Sequence, residues 1–144
     1  MGGRRAGANV WDALVVGDEQ DRARKKYEER ADAVLVDVPC TGSGSLRRNP
    51  ELRLRTPNLA ALTQLQFSIL RAAAKLLKPG GRLIYATCSL LAEENEIIVA
   101  RFLRERTRFV QAPAASLRLL PHRAGTVRFF AYTLPMRACV SRNP

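Results

Sequence analysis

A chain of 144 residues has the length of one domain, and a hydrophobic fraction of 47% is enough for a single core. No apolar run approaches the roughly 18 residues of a membrane helix and no charged-then-apolar signal segment opens the chain, so the sequence reads as soluble and cytosolic, with no membrane partner. A formal charge of +11 points to a polyanionic partner, nucleic acid first, although 20 of the 24 basic residues are arginine beside abundant alanine, a bias that a GC-rich genome also produces.

In chain order, residues 10–16 read as a short strand running into Gly17-Asp18, and residues 21–30 are nearly all charged, a solvated turn or short helix. Residues 33–37, AVLVD, form a continuous run of β-formers of the kind buried on both faces of a parallel sheet. After Cys40 come Thr41, Gly42, Ser43, Gly44 and Ser45, whose glycines let the backbone approach a ligand or enter positive φ. From Leu59 the residues Leu62, Leu65, Ile69, Ala73 and Leu76 recur at three- and four-residue steps, an amphipathic helix with Thr56-Pro57 as cap and first turn. Lys78-Pro79-Gly80-Gly81 stops that helix, and residues 82–87, RLIYAT, form a second buried strand. Glu93, Glu94 and Glu96 occupy the first turn of a further helix that reaches about Arg106. Two more strands are expected, one near Phe109 and one over residues 127–134, separated by Pro121 and Gly125. The alternation of strand and helix predicts a mostly parallel α/β sheet with a C-terminal antiparallel hairpin.

In such a sheet, ligands bind beyond the carboxyl ends of the strands. One predicted strand ends in Asp37-Val38-Pro39-Cys40 and the next in Thr87-Cys88-Ser89, so adjacent strands joined by one helical crossover would bring the two thiols to a shared pocket. Each cysteine alone is as readily a packed core thiol, since free cysteine is among the most buried residue types; the pair weighs against that reading. Three cysteines without a CxxC pair fit neither a disulfide framework nor a zinc site, and a single histidine argues against a His-ligated metal. Cys139, in a basic tail with no strand end to present it, is assigned no role.

The segments DVPCTGSG, LRRNPE, LLKPGGRLIYATCSLLAEENE and LLPHRAGT, followed by Phe129-Phe130, together resemble the catalytic domain of the RNA cytosine-5 methyltransferases of the Fmu/Sun type, over about residues 17–130. The resemblance implies a Rossmann-like methyltransferase fold, S-adenosylmethionine as cofactor, and RNA as substrate, ribosomal RNA ahead of tRNA. It assigns the attacking thiolate to Cys88, in the Thr-Cys-Ser motif, and release of the product to Cys40. Carbon 5 of cytosine is a poor nucleophile until a thiolate adds at carbon 6, and this need explains a covalent adduct. The resemblance also places Asp37 near both cytosine and cofactor, where a loop cap is the plainer alternative, and Asp18 at the adenine of the cofactor, where Gly-Asp is equally a common turn. Arg47 and Arg48 match the family's paired basic residues and would hold RNA phosphates, unless they are simply solvated. Glu94 and Asn95 match its Glu-Asn-Glu, with helix capping as likely a role as substrate contact.

The chain departs from this pattern at both ends. The family's glycine-rich cofactor loop belongs upstream of Asp18, where 17 residues leave no room for the strand and helix pairs, each βαβ unit needing about 30. The expectation is therefore the C-terminal portion of one methyltransferase domain, with N-terminal strands missing, an uncovered sheet edge and no cofactor binding of its own. Downstream, Gly125-Thr126-Val127-Arg128 stands where the family has Gly-Thr-Asp-Gly. Two readings remain: part of a methyltransferase that is monomeric when complete, or a catalytically silent, basic RNA-binding fragment.

Overall fold

A computed structural model describes residues 27–112, 116–119 and 129–138. The expected strand at residues 10–16, Asp18, Cys139 and the Gly125-Thr126 turn lie outside these residues.

Strand β1 (Ala31–Asp37) is followed by two 3-10 turns, Ser43–Ser45 and Pro50–Leu54, and by helix α1 (Leu59–Ala74). Strand β2 (Leu77–Thr87), a 3-10 turn at Ala92–Glu94, helix α2 (Glu96–Glu105), strand β3 (Ser116–Leu119) and strand β4 (Phe129–Pro135) complete the described elements. They form an α/β fold with one four-stranded sheet in the order β1-β2-β4-β3. β1 and β2 run parallel, with Leu35 opposite Ile84 and Asp37 opposite Ala86; β4 runs antiparallel to both β2 and β3. A C-terminal antiparallel pair is present as expected, with β4 close to the expected strand, but its other member is β3 and not a strand near Phe109.

The two helices cover one face of the sheet. Alternation puts Val36, Leu83, Tyr85, Phe130 and Leu134 on that face, where they pack with Phe67 and Leu70 of α1 and Val99 and Phe102 of α2. Phe102 meets Phe109 edge to face at 5.0 Å between centroids, and the guanidinium of Arg101 lies 3.8 Å above the ring of Phe67, tying α2 to α1. The other face carries Leu35, Ile84, Ala86, Ala131 and Leu117, and there Leu35 is 64% exposed.

Four expectations are corrected. β1 is buried on one face only, because no described helix lies over Ala33 and Leu35; its continuous apolar run is not matched by burial on both sides. Helix α1 is capped by Asn58, whose side chain accepts the Ala61 N–H at 3.0 Å, and not by Thr56-Pro57. Lys78-Pro79-Gly80-Gly81 does end the helical segment, but it belongs to β2 as an irregular stretch where the register jumps between Ala31 and Ala33. Gly81 is required there, since a Cβ would lie 2.9 Å from the Lys78 carbonyl oxygen. Near Phe109 there is one isolated bridge, to Met136, rather than a strand.

Candidate active site

Parallel pairing brings the carboxyl ends of β1 and β2 side by side, so the loops after Asp37 and Thr87 leave the sheet together. The Val38 N–H still bonds the Ala86 carbonyl at 3.1 Å, and after the first loop has turned back the Gly44 N–H bonds the carbonyl of Cys88 at 2.8 Å. The turn depends on Gly42, at φ +68°, where a Cβ would come within 3.0 Å of Leu52 Cδ1. As a result the sulfurs of Cys40 and Cys88, 48 positions apart in sequence, stand 3.2 Å from one another, both half-buried.

Burial pushes the Cys40 thiol up to about 12 from 9.0, reinforced by its hydrogen bond with Cys88 and by the charge Cys88 can carry. Cys40 therefore keeps its proton throughout the physiological range.

Behind the thiols lies a polar cluster sealed from water. Glu94 and Gln66 are both 0% exposed. Glu94 Oε1 accepts the Thr41 N–H at 2.9 Å and Gln66 Nε2 at 2.8 Å, while Oε2 accepts the Thr41 hydroxyl at 2.6 Å and the Ser89 hydroxyl. Gln66 also donates to the Pro39 carbonyl at 2.9 Å, so α1 fixes the residue just before Cys40. The buried Tyr85 hydroxyl donates to the Glu94 carbonyl at 2.6 Å; its own pKa is raised by burial first and by the neighbouring Glu94 charge second. Asn95 stands at the start of α2 but its side chain does not cap the helix. It accepts the Thr87 hydroxyl at 2.5 Å and donates to the Ser89 carbonyl at 3.0 Å, bracing the loop around Cys88 from both sides. Asn95 thus braces the loop instead of capping α2, and the carboxyl of Glu94 is bonded within the protein, to Thr41, Gln66 and Ser89.

Of the other residues singled out in the sequence, Asp37 is the exposed last residue of β1, and no described residue hydrogen-bonds its carboxyl. Arg47 and Arg48 are exposed on the turn between the two 3-10 segments, next to Arg53 and Arg55, which are also exposed. The structure also brings in Gln66, Thr41 and Ser89, which sequence reasoning passed over. Gln66 was detectable as an amide among the apolar positions of α1, and Thr41 and Ser89 each immediately follow a cysteine. Among the described residues no three His, Cys, Asp or Glu side chains cluster as metal ligands, and no helix is long and apolar enough to cross a membrane. A cavity of about 460 Å³ lined by Glu29, Arg71, Lys75, Arg108 and Met136 sits at the amino end of β1, away from the thiols.

A pair of thiols presented by neighbouring parallel strands, with a polar cluster locking the two loops, defines an α/β protein of the kind whose ligands bind at the carboxyl edge of the sheet. The chain belongs to the 16S rRNA methyltransferase RsmB/F family, whose sequence model matches residues 6–134. A Synechocystis protein named "Probable ribosomal RNA small subunit methyltransferase B" is 45% identical over 98 residues, 67% of this chain and 21% of the relative. The ribosomal RNA small subunit methyltransferase B of Vibrio cholerae is 42% identical over 96 residues, 65% of this chain and 22% of its own length. This chain thus spans about a fifth of the curated relatives it matches. Among solved structures, PH0851 is similar with a TM-score of 0.68 and 43% identity, covering 74% of this chain and 27% of that one. NSun6 from Pyrococcus horikoshii, solved with SFG, has a TM-score of 0.58 at 32% identity, covering 71% and 29%.

Proposed function

We propose that this chain carries the thiol chemistry of a methyltransferase acting on carbon 5 of cytosine in RNA, with ribosomal RNA as substrate and S-adenosylmethionine as cofactor. The observation that carries the proposal is the 3.2 Å contact between Cys40 and Cys88, with Cys40 holding its proton. The names of the relatives support ribosomal RNA, and the NSun6 structure with SFG, an S-adenosylmethionine analogue, supports the cofactor.

With Cys40 holding its proton, Cys88 is proposed as the attacking sulfur of the pair. It adds to carbon 6 of the cytosine, forming an S–C bond and moving electron density onto carbon 5 and nitrogen 3. S-adenosylmethionine supplies the methyl group that carbon 5 takes up. Loss of the carbon 5 proton to water then re-forms the carbon 5–carbon 6 double bond and breaks the S–C bond, and the Cys40 S–H, at hydrogen-bond distance, stabilises the departing Cys88 sulfur. The exposed carboxyl of Asp37, with its oxygens unclaimed by described residues, fits a role in hydrogen-bonding the ring at nitrogen 3 and the cofactor. Asp18 is proposed for the adenine. Arg47 and Arg48 are proposed to hold phosphates while the target base is turned out of its stack.

RNA containing 5-fluorocytidine tests the roles, because fluorine at carbon 5 blocks loss of the proton and traps the adduct. In a chimera with residues 27–138 grafted onto the Vibrio cholerae relative, Cys88→Ala should abolish the adduct while Cys40→Ala still forms it. An adduct that survives Cys88→Ala and disappears with Cys40→Ala reverses the assignment. Offering ribosomal RNA and tRNA side by side checks the substrate.

A second reading, a silent RNA-binding piece, is favoured by the 64% exposure of Leu35 on a sheet face that no described element covers. Calorimetry of the 144-residue chain with S-adenosylmethionine separates the two. Micromolar binding of cofactor rejects the silent reading; salt-sensitive RNA binding without cofactor binding supports it.

A further inference from the structure

Glu94 is a carboxyl group held out of water with no cation bonded to it among the described residues, an arrangement that is costly unless its acceptor sites are used. They are used in a particular way. One oxygen is bonded by the backbone and the other by the hydroxyl of Thr41, the residue after Cys40; that second oxygen also takes the hydroxyl of Ser89, the residue after Cys88. Gln66 closes the arrangement by holding both Glu94 and the carbonyl of Pro39, the residue before Cys40. Thus one side chain grips both cysteine loops at the position next to each sulfur, and it is shut off from solvent, so it does not reach a substrate base.

We infer that Glu94 is the positioning residue that sets the Cys40–Cys88 separation, with Gln66 as its support from α1. The inference rests on reading the two thiols as a working pair, but its test reads the thiols themselves and needs no methyl transfer. A carboxyl placed there for stability alone would leave the thiol spacing unchanged once the loss of stability is allowed for. A carboxyl placed there for position would not.

The readout is thiol–disulfide exchange in the 144-residue chain carrying Cys139→Ser, with oxidised glutathione as the oxidant. One protein thiolate displaces glutathione thiolate to give a mixed disulfide. The second protein thiol, losing its proton, displaces the other glutathione, so two thiols and one oxidised glutathione become one protein disulfide and two reduced glutathiones. The ratio of protein disulfide to mixed disulfide at fixed glutathione gives the effective molarity of the pair. Glu94→Ala should lower it by about tenfold or more, since effective molarity falls steeply when reacting atoms are displaced by an ångström. Glu94→Gln keeps an oxygen for the two N–H donors and offers an NH₂ group that the two hydroxyls accept, and should stay within about threefold of the parent. Val99→Ala, a buried change in α2, should lower stability without lowering effective molarity. If circular dichroism finds Glu94→Ala unfolded, Thr41→Val carries the test, with a loss of about threefold expected for removing one of the hydroxyl bonds. An unchanged effective molarity in the folded Glu94→Ala chain, or in Thr41→Val when that variant carries the test, overturns the proposal. So does an equal loss in Val99→Ala.

Discussion

Cys40 holds its proton up to about pH 12 because it is partly withdrawn from water and faces a second thiol, and this has a consequence for stability that can be measured directly. An unfolded chain releases that proton near the ordinary value of 9.0, whereas the folded chain keeps it until about 12. Between those values the folded state binds more protons than the unfolded one, so stability falls as pH rises; below 9.0 the two states are alike and the full stability is present. Urea unfolding from pH 8 to 11 should therefore show a decline beyond pH 9, steeper in the parent than in Cys40→Ser, which has no thiol to titrate. Parallel curves for the two proteins would show that the Cys40 shift is absent. Tyr85 pulls the parent and the variant in the same direction, since its raised pKa rests first on burial. The same property bears on reactivity: a thiol whose proton is held this firmly is a poor thiolate donor near neutral pH, in keeping with the assisting role proposed for Cys40.

The loop between β1 and α1 delivers Cys40 to Cys88, and Gly42 is the residue on which its course turns. Gly42→Ala forces a left-handed conformation on a residue with a Cβ, costing about 1–2 kcal/mol, and sets that Cβ against Leu52 Cδ1 at 3.0 Å. We expect urea unfolding to register a loss of that size, and fluorocytidine adduct formation in the chimera to slow by more than the fraction unfolded accounts for. A variant with full stability and a full adduct rate rejects this role for Gly42. At this scale the sequence was legible wherever local pattern decides the outcome. The period of Leu62, Leu65, Ile69 and Ala73 marked α1, and the β-formers before Asp37 and Cys88 marked the two parallel strands. It was illegible where tertiary pairing overrides local chemistry. Lys78-Pro79-Gly80-Gly81 has the composition of a breaker, yet it is drawn into β2 by its pairing with β1. The strand expected near Phe109 reduces to one bridge, to Met136, flanked by the hydrogen bonds of the Val110 N–H to the Pro135 carbonyl and of the Arg137 N–H to the Arg108 carbonyl. The helix cap went to Asn58 over Thr56 because the Asn58 side-chain amide oxygen accepts the Ala61 N–H, one of the free N–H groups in the first turn of α1. The thiol pair could be anticipated from strand order, but the buried carboxyl behind it could not, because glutamates before a helix usually read as first-turn charges.

On the scale of the whole molecule, one sheet face is sealed by two helices and holds the core, while the opposite face leaves Leu35 and Leu117 exposed by 64% and 52% among the described residues. The edge that carries the two thiols lies between these faces, at the carboxyl ends of β1 and β2, and the arginines 47, 48, 53 and 55 sit on the turns that follow Cys40. Whether these four arginines serve RNA or merely share in the formal charge of +11 is open to experiment. A bias from base composition alone scatters arginine without regard to the thiols, whereas an RNA-handling role needs cations beside the base that is turned out. The two origins differ in salt dependence. If Arg47 and Arg48 each neutralise a phosphate, replacing both with alanine removes about 0.7 counterion per contact for single-stranded RNA and lowers the slope of log K against log salt by about 1.4. Filter binding of a cytosine-containing oligonucleotide between 50 and 300 mM salt, about the range over which such slopes are resolved, compares this double variant with Arg104→Ala/Arg106→Ala, an equal loss of charge at the far end of α2. A slope lowered only by the first pair places the RNA over the thiols. An equal reduction from both pairs places it on the molecule's general charge instead, and leaves the turn arginines with no special part in holding RNA.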